Sequence, residues 1–157
     1  MTTIYSTFLE LTIRQPEKLS THFTWLAPLL ARIVIGQTFL VDGWGKLNNL
    51  DIAIGNFVSW GIPLPQVLTP FVAGTLFIGG AFLIVGLLTR VAAGLLGIIM
   101  AVAIYSALWP EVTNNSITTL FNFRETAYLA IFTWLAVAGA GKVSIDYWLT
   151  KNQSASE

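Results

Sequence analysis

The chain has 157 residues, enough for one domain; 55% are hydrophobic and 10% charged, and the formal charges cancel. This excludes an ordinary soluble domain, in which about a quarter of residues are charged, and it offers nucleic acid no basic surface. The absence of cysteine excludes disulfides, thiol catalysis, iron–sulfur ligation and thiolate zinc sites together.

In chain order, residues 1–24 form a polar segment containing Glu10, Arg14, Glu17, Lys18 and His22. It has no apolar run of signal-peptide length and is expected to be retained. Ile4, Phe8 and Leu11 recur at helical spacing, so it reads either as a short helix on the membrane surface or as a soluble tail. Residues 25–43 read as the first membrane span, with Arg32 some 10 Å inside it at about 1.5 Å of rise per residue. From Val67 to Trp109 the single charge is Arg90, near the midpoint. Spans over 67–88 and 91–109, each roughly 30 Å long as helix, therefore form a hairpin turning at Thr89-Arg90. The fourth span, over 124–141, is the shortest, and Phe121 and Phe123 lead into it as an interfacial turn.

The expected fold is all-α: a bundle of four transmembrane helices over residues 25–149, followed by a flexible tail over 150–157. Between the first two spans, Ile52, Ile54, Phe57, Val58 and Trp60 interleave with polar positions, and Gly61-Ile62-Pro63-Leu64-Pro65 then breaks the helix. This predicts a short amphipathic helix on the outer surface; an aromatic loop anchored among the headgroups is the alternative. Arg14, Lys18, Arg90, Lys142 and Lys151 flank one side of the spans, against Lys46 and Arg124 on the other. By the positive-inside rule the richer side is cytoplasmic, so a multi-pass protein of the cell inner membrane with both termini in the cytoplasm is expected.

Charges within or beside the spans are the candidate site residues. A lone guanidinium at the depth of Arg32 is costly, so it needs a partner or must reach the interface. A cytoplasmic cluster of Arg32, Arg90 and Asp146 would supply one, and lipid phosphate is the alternative. At the outer end Asp42, Lys46 and Glu125 either fix helix ends or converge as a polar pocket for a quinone head group or small anion. Gly74, Gly79, Gly80 and Gly86, with Ala93, Gly94 and Gly97, form small-residue stripes of the kind that let helices pack closely in lipid. Trp60, Trp109 and Trp148 fall near the interfaces and read as anchors.

Gly43-Trp44-Gly45-Lys46-Leu47, Gly61-Ile62-Pro63, Gly79-Gly80 with Gly86-Leu87-Leu88-Thr89-Arg90, and Gly141-Lys142-Val143-Ser144-Ile145-Asp146 together resemble the DoxX family of small four-helix membrane proteins. The resemblance covers about residues 28 to 148, and Arg32 and Glu125 match residues common in that family. Many members carry a glutamate three residues before the paired glycines, where this chain has Leu76, which argues against chemistry needing a mid-membrane carboxylate.

The resemblance implies membrane redox systems: family members include a subunit of a thiosulfate:quinone oxidoreductase and partners of oxidative-stress enzymes. Fold alone does not transfer an activity. From the residues, no haem ligand lies in the spans, since the one histidine is His22, and no phosphate-binding loop for flavin or nicotinamide is found. No metal or covalent cofactor is therefore expected, leaving quinone as the candidate ligand. The reading is an accessory subunit embedded in the lipid bilayer, with a membrane-protein partner to which it docks or as a homo-oligomer. The alternatives are an oxidoreductase acting on quinone or a small sulfur compound, and a small-molecule transporter. Transport is disfavoured by the few polar residues within the spans.

Overall fold

A computed structural model describes residues 24–114 and 116–153. Among these the chain is helical and contains no strand. The elements are α1 (Leu26–Asn48), α2 (Leu50–Ser59), α3 (Pro65–Val85), α4 (Thr89–Ala103), a π-helical turn (Ile104–Leu108), α5 (Trp109–Asn114), a 3₁₀ turn (Ile117–Asn122), α6 (Arg124–Ala138) and α7 (Ile145–Gln153). Residues 1–23, read as a surface helix or a soluble tail, lie outside the described residues.

Three helical stretches are long and apolar enough to cross a membrane: Leu26–Asn48, Pro65–Val85 and the continuous stretch Thr89–Asn114. They join α6 in a helical bundle of up-and-down order, with α1 packed on α3, α3 on α4 and α4 on α6. The amphipathic segment after the first span is α2, which buries Ala53 and Phe57 against the bundle and leaves Ile52 and Val58 exposed.

Closest approach occurs between α1 and α3, and glycine permits it. A Cβ on Gly36 would sit 2.8 Å from the Gly80 carbonyl oxygen; one on Gly43 would lie 2.4 Å from the Phe77 nitrogen. Backbone therefore packs on backbone, the geometry that substitutes for hydrophobic expulsion in lipid. α1 and α6 stand farther apart, and aromatic rings close the gap: Phe39 meets Tyr128 and Phe132 edge-on, with centroids 5.3 and 4.9 Å away. Leu76, Leu83, Ala93, Leu96 and Leu135 complete this core, so the position three residues before the paired glycines is filled by a buried leucine.

Several boundaries differ from the sequence expectation for physical reasons. The hairpin turns earlier than Thr89-Arg90, at Gly86–Leu88. Gly86 adopts a left-handed conformation (φ +70°), and the Leu87 and Gly86 amides close α3 onto the Phe82 and Leu83 carbonyls. The third span runs past Trp109 and through Pro110 to Asn114. The π turn just upstream lets it do so, because it widens the backbone where a proline ring would strike the carbonyl four residues back. The fourth helix stops at Ala138 and not at residue 141, since Gly139 turns the chain out with φ +84° and ψ −167°. At about 1.5 Å per residue α6 is roughly 22 Å long. Thr150–Gln153, expected as tail, continues α7.

Candidate functional site

The short fourth helix sets a problem that the rest of the fold solves. Residues 139–144 are irregular backbone at the end of the bundle, and such backbone is tolerated beside lipid only when protein satisfies its polar groups. Arg32 of α1, 1% exposed, reaches into this segment. Its Nη2 donates to the Val143 carbonyl, and its Nε donates to the Pro28 carbonyl at 3.3 Å. Nη1 makes no hydrogen bond among the described residues and lies against Gly86, where an added Cβ would fall 1.8 Å from it. Gly86 therefore serves twice, as the left-handed close of α3 and as the floor beneath the guanidinium.

Asp146 completes the joint. Its carboxylate oxygens accept from the Leu88 and Thr89 amides at 2.7 and 2.9 Å, capping the start of α4 from 57 residues away in sequence. Leu88 is itself left-handed (φ 47°), a strained conformation for leucine that this remote cap holds in place. The Asp146 amide donates to the Gly86 carbonyl at 3.0 Å, so one residue clamps both sides of the α3–α4 turn. Ser144 caps α7 in turn, its Oγ accepting from the Tyr147 amide at 3.1 Å and donating to the Gly141 carbonyl at 2.8 Å.

The expected cluster of Arg32, Arg90 and Asp146 is thus one neighbourhood with a different wiring. Asp146 lies within electrostatic range of Arg32, yet its oxygens are taken by backbone amides and no ion pair joins them among the described residues. Arg90 is exposed at the start of α4 and lies over Gly139, whose added Cβ would stand 3.1 Å from Arg90 Nε. A cleft of about 640 Å³ opens beside it, between the start of α4, residues 138–142 and α7.

At the opposite end the expected outer residues form local pairs. Lys46 Nζ donates to Asp42 Oδ2 one turn away on α1. Glu125 accepts from Nε of its neighbour Arg124 at 3.1 Å, and Asp42 is near enough to act on Arg124 electrostatically. Asp42, Lys46 and Glu125 therefore share one end of the bundle, as the adjacent pairs Asp42–Lys46 and Arg124–Glu125. Sequence reasoning passed over the packing roles of Gly36 and Gly43 and the capping role of Asp146; the seven-residue spacing of the two glycines on α1 is a signal that could have found the first two.

The comparisons with known proteins agree with this architecture. The description DoxX matches residues 27–109, which hold α1 to α4 and the π turn. Inner membrane protein YphA of Escherichia coli (strain K12) is 29% identical over 122 residues, covering 75% of this chain and 86% of its own length. A Bacillus subtilis (strain 168) protein named "Putative oxidoreductase CatD" is 27% identical over 130 residues, covering 82% of this chain and 90% of its own. No solved structure matches at comparable significance. With the matched segment spanning more than half of the chain and the helical membrane bundle in place, this multi-pass membrane protein belongs to the DoxX family.

Proposed function

We propose that the protein is a non-catalytic accessory subunit of a membrane redox or oxidative-stress complex, seated in the inner membrane with the Arg32–Asp146 joint and both termini on the cytoplasmic side. The observation that carries this reading is how the conspicuous charges are used. Arg32 ties irregular backbone, Asp146 caps a helix, and Asp42 pairs with Lys46. Groups held in structural hydrogen bonds suit a scaffold better than a site that must exchange protons with a substrate. The redox setting is suggested by the name of the Bacillus relative and by what the family resemblance implies. Partner capture tests it: isolation from native membranes in mild detergent, after gentle cross-linking, is expected to bring down a redox enzyme. Recovery of the protein alone, under conditions that keep other membrane complexes intact, contradicts it.

A second reading, an oxidoreductase acting on quinone or a small sulfur compound, draws support from the name of that same relative. It places the reaction among Asp42, Lys46 and Glu125, where carboxylates and an ammonium adjoin at one end of the bundle. Turnover of a quinone analogue by purified protein supports it. A rate unchanged by Glu125→Gln and Asp42→Asn removes these residues from the mechanism.

A further inference from the structure

We propose that the cleft beside Arg90 is a binding site for the phosphodiester headgroup of an anionic phospholipid, held by Arg90, Lys142 and the backbone of residues 140–142. The cleft, about 640 Å³, lies within the range of roughly 300–1,000 Å³ usual for ligand pockets. Arg90 and Lys142 both line it, and neither has a carboxylate within ion-pair distance among the described residues. Arg90 occupies the first turn of α4, where the helix dipole disfavours a cation, an effect the Asp146 cap offsets in part and a bound anion would offset further. Asp146 also borders the cleft, but both of its oxygens accept from the Leu88 and Thr89 amides and neither is paired with Arg90 or Lys142. The amides of Ala140, Gly141 and Lys142 make no hydrogen bond within the described residues, so donors on the chain itself stand beside the two cations. A guanidinium, an ammonium and backbone N–H groups are the set that recognises phosphate oxygens.

The source of that phosphate follows from the surroundings. Leu88 and Val91 on one wall are about half exposed, and α7 lines the other with exposed Tyr147 and Leu149. An aromatic, apolar rim around a cationic cleft at the end of a membrane bundle fits a lipid whose acyl chains run down the outside of the bundle while its headgroup enters the cleft. A soluble phosphate would use the cations and leave the rim unused.

The test is native mass spectrometry of the full-length protein released from micelles containing equimolar phosphatidylglycerol and phosphatidylcholine. The wild type is expected to retain phosphatidylglycerol at least fivefold over phosphatidylcholine. Arg90→Gln combined with Lys142→Gln should bring the ratio close to one, while Lys46→Gln at the opposite end leaves it unchanged. Arg90→Lys, which keeps the charge, should hold most of the preference. If the double variant does not purify, Lys142→Gln alone, on an exposed turn, is expected to lower the ratio two- to threefold. Equal retention of the two lipids by the wild type overturns the proposal, as does a preference indifferent to Arg90 and Lys142. Displacement of phosphatidylglycerol by millimolar inorganic phosphate would assign the cleft to a free anion instead, and is equally contrary.

Discussion

Arg32 and Gly86 depend on each other. The guanidinium occupies the space a side chain at residue 86 would fill, and the glycine closes α3 in a conformation that alanine adopts at a cost of about 1–2 kcal/mol. Arg32→Met leaves the Pro28 and Val143 carbonyls without their donor and is expected to destabilise by about 2 to 3 kcal/mol, measured as the thermal midpoint in detergent. Gly86→Ala should cost at least as much, through both strain and collision. The two together should cost clearly less than their sum, because a shortened residue 32 makes room for the methyl group, which is the coupling expected of contacting residues. Strict additivity would show that the two do not meet. Asp146→Ala should cost about 1 to 2 kcal/mol through loss of the α4 cap, read as a lower thermal midpoint, whereas Asp146→Asn, which keeps an acceptor, should lose less. The need for a partner to Arg32 was legible from its depth in an apolar run. Its identity was not, because the acceptors are main-chain carbonyls exposed by a helix that stops early, and no side-chain type announces them.

Among the elements, α1 and α3 meet backbone to backbone, and the glycines at that contact differ sharply from those elsewhere. Gly36→Leu or Gly80→Leu would drive side-chain atoms into the facing helix and is expected to abolish a folded, monodisperse species in size-exclusion chromatography. Gly74→Leu and Gly94→Leu, where an added Cβ meets nothing within 4 Å, should elute and melt close to the wild type. Glycine content in the second and third spans marked close packing correctly at Gly79 and Gly80 but could not tell them from Gly74. One-face periodicity is weak when nearly every position of a span is apolar. The end of α6 and the π turn were hidden for related reasons. Gly139 and Pro110 are visible in sequence, but whether each ends a helix or is absorbed by it depends on neighbouring packing.

At the scale of the whole molecule, hydropathy and length identified the helical bundle and the short helix after its first span, since lipid leaves the backbone few alternatives. The charged end around Arg32 could not be wired from sequence, because its partners lie far apart along the chain, as when Asp146 caps the start of α4 57 residues before it. The architecture is fastened at one end by Arg32, Gly86 and Asp146 and paired locally at the other by Asp42, Lys46, Arg124 and Glu125. Its central claim is that these two ends lie on opposite faces of the membrane. The chain has no cysteine, so single labels can be placed at will. With a membrane-impermeant maleimide on spheroplasts, Asn56→Cys on α2 is expected to react directly, and Lys142→Cys beside the joint only after the membrane is opened. Labelling of both from the same side contradicts the account.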